Sequence, residues 1–159
     1  MPNSGVVAGA DILLYKNGGT DAEPIWTAYA HGTTLSYSGS TAMRERADKD
    51  DGGATRIKPG RHGVTTILIA GLTSYDGSDF FALDQSRLNR ERLQVKYSGR
   101  PAADTLKIDT VEAEGDFYYE AYGYISECGR EDPTEGDSTY SATISLDGVP
   151  TKKTVGANV

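Results

Sequence analysis

Between two segments with the composition of β-strands lies SYSGSTAMRERADKDDGGATRIKPGRHG, residues 36–63, a polar, glycine-rich, charge-dense stretch that offers a core almost nothing. Structureless connections longer than about 12–15 residues are uncommon in compact domains, and those that occur are usually functional or disordered. A chain of 159 residues can build one domain with a real core and needs no covalent staple. The fold must therefore carry a long excursion out of an otherwise ordinary domain. Residues 38–62 are expected to form one long strand-to-strand loop, within a single domain spanning 1–159 and ending in a flexible tail at 149–159.

The flanking segments set the fold class. DILLYK (11–16) closes on the turn signal Asn17-Gly18-Gly19, and PIWTAYA (24–30) continues as a second extended run. TTLSY (33–37) precedes the loop, and the β-branched, apolar VTTILIAGL (64–72) follows it. LQVKY (93–97), TLKIDTVEA (105–113), FYYEAYGYISEC (117–128) and STYSATISL (138–146) complete a set of about eight strands. In YDGSDFFALDQSRLNRER, Asp76 or Ser78 supplies an N-cap, acids open the segment and arginines close it, which suits a helix and its dipole. Phe80, Phe81, Leu83 and Leu88 are expected to form its single apolar stripe. The expectation is an α+β, mainly β domain: a β-sandwich or partly closed barrel with one flanking helix.

Charge is distributed unevenly. The net charge is −7, yet Ser38 to Arg61 holds six bases against four acids, so the remainder of the chain carries −9. Ile108 to Gly129 contains Asp109, Glu112, Glu114, Asp116, Glu120 and Glu127 with no lysine or arginine. Such a field argues against nucleic-acid binding, which needs cations to displace counterions from phosphates. Period-2 alternation over 117–126 puts Tyr118, Glu120, Tyr122 and Tyr124 on the more polar side, away from Ala121, Gly123 and Ile125.

Catalytic patterns are poor. His31, His62 and Cys128 are framed by no nucleophile signature, and the carboxylates of 112–120 fit a solvated hairpin end as well as a glycosidase pair. DKDDGGATRIKP fails as a calcium loop, because Gly52 and Pro59 stand where ligands are required. A lone cysteine forms neither an internal disulfide nor a zinc site, so no catalytic, cofactor or metal site is expected. No apolar run approaches a membrane span and the N-terminal stretch lacks signal-peptide character, so a soluble chain without membrane anchoring is expected.

The order of pieces is informative: GADILLYKNGG, a loop holding KDDGG, TTILIAGL, DGSDFFAL, LQVKY, FYYEAYGYIS and EDPTEGDSTYSATISLDGVPT. This order resembles the major tail tube proteins of long-tailed bacteriophages, most specifically over Glu131 to Thr151, where Pro133, Glu135-Gly136-Asp137, Thr139-Tyr140, Gly148 and Thr151 match; after KDDGG, Ala54-Thr55 replace a frequent aromatic residue. The resemblance implies a structural virion protein, assembled in the host cytoplasm into stacked hexameric rings that form the tail. It implies as partners further copies of the chain, a tape-measure protein and tail terminator or distal tail proteins, with DNA passing through unbound. Arg44, Arg46, Lys49, Asp50, Asp51, Arg56 and Lys58 would then contact neighbouring subunits through the loop. Asp109, Glu112, Glu114 and Glu120 would face the lumen, where like charge repels phosphates; alternatively these acids simply solubilise the outer surface. A second class of function is a β-sandwich binding module that takes sugar or peptide on Tyr118, Tyr122 and Tyr124.

Overall fold

The computed structural model describes residues 13–28, 32–47, 49, 52–75, 77, 80–99, 116–154 and 156. Among them run β1 (Leu13–Asn17), β2 (Trp26–Ala28), β3 (Gly32–Ser38), β4 (Thr41–Ala47), β5 (Thr55–His62), β6 (Thr66–Leu72), α1 (Phe80–Leu88), β7 (Leu93–Gly99), β8 (Phe117–Glu131), β9 (Thr139–Leu146) and β10 (Thr151–Thr154). The architecture is mainly β with one helix, as the patterning implies. The strand expected at 105–113 lies outside the described residues.

All strands except β4 and β5 form one antiparallel sheet in the order β2-β1-β7-β8-β9-β6-β3, with β10 also on β8. The long β8 makes this possible. Its first half pairs with β7 along one edge and β10 along the other, and its second half pairs with β9 from Gly123 to Glu131. The sheet curls. Tyr37 near the end of β3 stacks on Tyr119 of β8 (ring centroids 5.6 Å apart, planes at 10°) and leans on Tyr97 of β7 at 5.1 Å, although β3 stands at the far edge of the strand order. Burial and the neighbouring Tyr119 raise the Tyr37 hydroxyl above its ordinary pKa.

Alternation fills the concave side. Val95 of β7, Ala121 and Ile125 of β8, Ala142, Ile144 and Leu146 of β9, and Ile67 and Ile69 of β6 share one buried face with Leu14. A register shift between Ile125 and Glu127 returns Cys128 to that face. Helix α1 covers part of it, but with a narrower stripe than the sequence suggests. Leu83 is buried and Phe80 packs on the core, whereas Phe81 and Leu88 are 55% and 60% exposed. At 100° per residue the four side chains span about 160°, and a helix resting on a sheet buries only part of such an arc.

The helix ends without glycine. The N–H of Arg90 donates to Arg87 O at 3.1 Å and that of Glu91 to Ser86 O at 3.0 Å, the paired bonds of a Schellman cap. Arg90 occupies the left-handed position, with φ 54°.

The segment 41–62 is not structureless. β4 and β5 pair as a hairpin, Met43 with Pro59 through Ala47 with Thr55, and Lys49, Gly52 and Gly53 of KDDGG are the described residues of that motif between them. Gly52 and Gly53 take φ values of 65° and 81°, a pair of left-handed residues that side chains strongly disfavour. The C-terminal segment likewise contributes order: residues 151–154 form β10 against the first half of β8, where a loose tail was expected.

Candidate functional site

Two surfaces combine order with chemistry that the core does not explain. The first is the β4–β5 hairpin, hereafter the arm. Among the described residues neither strand packs closely on another element. The arm is rooted where the Gly63 N–H donates to Ser40 O at 2.8 Å and Thr41 Oγ1 lies 3.0 Å from His62 Nδ1. At that root a cleft of about 630 Å³ opens between Tyr37, Val64 and the β9–β10 connection.

Register sorts the arm's side chains. Arg44 stands opposite Lys58 and Arg46 opposite Arg56, so four cations occupy one face in two like-charge pairs. Directly opposed like charges destabilise an antiparallel pair. Met43, Ile57 and Pro59 share the other face with Glu45, and the first two are 59% and 64% exposed. Among the described residues Arg44 and Lys58 have no acidic partner, whereas Arg46 and Arg56 do make side-chain interactions. Lys49 is exposed next to the turn, while Asp50 and Asp51 lie outside the described residues.

The second surface is the convex face of the sheet. Asn17 closes the β1–β2 hairpin by accepting the N–H groups of Gly19 and Ile25 at 2.8 and 3.0 Å. Its amide donates to Gln94 Oε1 at 2.7 Å, Gln94 in turn donates to Glu120, and Lys153 Nζ meets the other Glu120 oxygen at 2.8 Å. One polar relay thus crosses β1, β7, β8 and β10. The hydrogen bond to Glu120 holds the Lys153 ammonium above its ordinary pKa. Glu120 is therefore a compensated charge. Asp109, Glu112 and Glu114 lie outside the described residues.

The tyrosines of this face are occupied. The Lys96 ammonium, itself buried, sits 4.4 Å from the Tyr118 ring centroid and 5.8 Å from that of Tyr15, and Arg92 covers Tyr122 at 4.0 Å. Tyr124 alone of the three platform candidates is substantially exposed, at 43%. Two of the three rings are thus spent on internal cations, which leaves no stacked platform for a sugar.

Reactive groups are dispersed. Among the described residues no three His, Cys, Asp or Glu side chains come together as a metal site. His31 lies outside the described residues. Burial pushes the Cys128 thiol up to about 11, the Asp84 carboxylate adding to the effect and Arg87 opposing it. Such a thiol is protonated at neutral pH and a poor nucleophile. No helix among the described residues is long and apolar enough to cross a membrane.

Sequence comparison finds neither a family model nor a curated protein that matches the chain. Solved structures do match. A chain from the tail of an empty GTA particle, reconstructed by helical refinement with C6 symmetry, superposes with a TM-score of 0.68 at 13% identity, covering 93% of this chain and 99% of that one. The SPP1 tail tube gives 0.68 at 16% identity over 96% and 81%. A chain of the sheath-tube complex of PVC, an extracellular contractile injection system, in its extended state gives 0.64 at 14% identity over 94% and 93%. The curled sheet, its helix and its strand order together are thus the fold found in tail-tube assemblies.

Proposed function

We propose that the chain is a structural subunit of a phage-type tail tube, built from hexameric rings that stack into a conduit for DNA. The observation that carries this reading is the near full-length match to a tail chain in a C6-symmetric particle. The arm supports it independently. An isolated two-stranded hairpin is marginal in water, and one with like-charge cross-strand pairs is more so, which makes sense when a neighbour completes it. Edge strands β2 and β3 add unpaired backbone that lateral contacts would satisfy.

In this reading Arg44, Arg46, Lys49, Asp50, Asp51, Arg56 and Lys58 serve subunit contacts. A tape-measure protein and terminator or distal tail proteins are the further partners, and assembly takes place in the host cytoplasm. The acidic run, through Asp109, Glu112 and Glu114 more than the compensated Glu120, would line the lumen and repel phosphates. No catalysis is required. Negative-stain microscopy of the concentrated protein tests the proposal: sixfold rings or stacked tubes are expected. A chain that remains monomeric at millimolar concentration, even with a tape-measure protein present, overturns it.

A further inference from the structure

Asn17-Gly18 is the only Asn-Gly step in the chain, and it opens the connection between β1 and β2. In a flexible peptide such a step is chemically unstable, because glycine lets its backbone nitrogen approach the preceding side-chain amide. Gly18 and Gly19 are exposed, so water and base reach the step and burial does not shield it. Nor does the local shape demand glycine at 18. Its φ is not positive, and a Cβ there would meet Ile25 O at 3.7 Å and Thr27 Oγ1 at 3.9 Å, both ordinary contacts.

The folded chain protects the step with hydrogen bonds instead. Oδ1 of Asn17 accepts the N–H groups of Gly19 and Ile25, while Nδ2 donates to Thr20 O at 3.0 Å and Gln94 Oε1 at 2.7 Å. These four bonds occupy every position of the amide. The Gly18 N–H, whose nitrogen would be the nucleophile, donates to Ile25 O at 2.8 Å. Two donors on Oδ1 polarise the amide carbon, which alone would favour attack. Pinning wins, because Cγ must swing towards Gly18 N before a bond can form, and that motion breaks the bonds of Nδ2.

The same bonds give the relay to β10 its direction. Two backbone N–H groups decide which end of the Asn17 amide is oxygen, so Nδ2 faces Gln94 Oε1, Gln94 Nε2 faces Glu120, and Glu120 faces Lys153. A carboxylate at position 17 would leave Gln94 between two acids. Its amide carries an acceptor at one end and donors at the other, so no flip serves both neighbours.

We infer that Asn17-Gly18 is a deamidation site held inert by the closed β1–β2 hairpin, and that conversion leaves the hairpin looser than before. β2 has three residues, stands at the sheet edge and pairs only with β1 among the described residues, which places it at the low-stability end of the fold. In the open hairpin the Gly18 nitrogen loses its proton and attacks Asn17 Cγ. The new C–N bond replaces the bond to Nδ2, which leaves with a proton as ammonia. Water then adds to either carbonyl of the five-membered imide and gives aspartate or isoaspartate, the net change being amide and water to acid and ammonia. Aspartate puts an acceptor where Gln94 needs a donor, and isoaspartate also lengthens the backbone of the turn. The inference concerns the single subunit and stands apart from the tube reading.

The test incubates the full-length chain at mildly alkaline pH, native or unfolded in guanidinium chloride, and measures the acid form in the proteolytic peptide that holds Asn17. The native chain should convert at least ~10-fold more slowly, since it reacts only through its open fraction. Gly18→Ala should slow the unfolded rate at least ~5-fold and leave the amide hydrogen exchange of the native hairpin unchanged. Asn17→Asp, which is the product, should lower the exchange protection of Gly18, Gly19 and Ile25 at least ~3-fold. Adding Glu120→Gln should recover most of that loss, because Gln94 can then turn its donors to position 17 and accept from position 120. A merely destabilising role for Asn17 predicts a further loss in the double variant. Equal native and unfolded rates overturn the protection by the hairpin. Parental protection in Asn17→Asp, or no recovery with Glu120→Gln, overturns the coupling through the relay.

Discussion

The curled sheet and the arm obey different rules although they share a backbone geometry. In the sheet every second residue meets apolar partners, and Val95, Ile67 and Ile144 are almost completely removed from water. In the arm the same alternation separates cations from a thin apolar row, and among the described residues no other strand or helix packs closely on either side. Hydrogen bonding is similar in both. What differs is burial, the dominant favourable contribution to folding. The sheet supplies its own reason to fold, whereas the arm finds little of one among the described residues; in the proposed tube a neighbouring copy would supply it.

The sharpest way to break this comparison is to remove equal side chains from both regions. Ile144→Ala, at a fully buried position, should cost about 3–4 kcal/mol in urea unfolding. Ile57→Ala should stay within about 0.5 kcal/mol of the parent. Replacing 41–62 by a short Gly-Ser turn should also leave the core transition in place, because loop length changes closure entropy only slowly. A loss at Ile57 comparable to that at Ile144 would mean that the arm is part of the cooperative unit.

Legibility in the sequence follows the same divide. β6, β8 and β9 are readable because β-branched and aromatic residues alternate against a buried face, as in STYSATISL, where Tyr140, Ala142, Ile144 and Leu146 point inward. TAMRERA alternates too, but charged residues on one face and an uncovered apolar row on the other look like loop composition; only the paired glycines of KDDGG hinted at a hairpin. TKKT carries no hydrophobic signal at all, and β10 exists because half of one β8 edge is free to receive it. The cations of 44–58 are visible as residue types, but that four of them share one face depends on register, which is a tertiary fact. The Glu120–Lys153 pair is equally invisible, joining strands far apart in the chain.

That pair gives a smaller perturbation. Lys153→Met removes the ammonium from Glu120 while keeping most of the stem, and should cost about 0.5–1 kcal/mol at neutral pH, the modest figure reflecting the lysine's partial exposure. The pKa of Lys153 is raised in the folded chain, so its contribution is complete below the ordinary lysine value of 10.5 and is lost as pH rises through the folded one. The difference between parent and variant should therefore hold from pH 6 to 9 and shrink above 10.5. A gap that persists at strongly alkaline pH would assign the loss to β10 packing instead.

The helix cap offers a gain of similar or smaller size. Arg90 holds a left-handed conformation that glycine adopts freely, and Arg90→Gly keeps both backbone bonds of the cap while removing the Cβ penalty. Part of the benefit is offset by the greater entropy of glycine in the unfolded chain, so about 0.5 kcal/mol of stabilisation is expected. A destabilised variant would show that the arginine side chain contributes more than its backbone costs.

The smallest energetic effect is also the cleanest probe of the two regions, because it reads local environment without disturbing the fold. Cys128 is packed against the core with its thiol pushed up to about 11, above the ordinary value of 9.0, chiefly by burial. At pH 8 its reactive thiolate is therefore about 100-fold scarcer than that of an unperturbed thiol. Ile57→Cys in a Cys128→Ser background places a thiol at a position 64% exposed, and should alter stability by less than about 0.5 kcal/mol. Maleimide labelling at pH 8 should run at least ~100-fold faster on that arm thiol than on Cys128 in the parent, and the gap should narrow as pH approaches 11. In assembled tubes the arm thiol should become slow as well, while Cys128 keeps its rate, since assembly covers the arm and leaves the core of the sheet as it was. Equal rates in the unassembled chain would erase the contrast in burial on which the separation of sheet and arm depends, and an arm thiol that stays fast in tubes would show that no neighbour covers it.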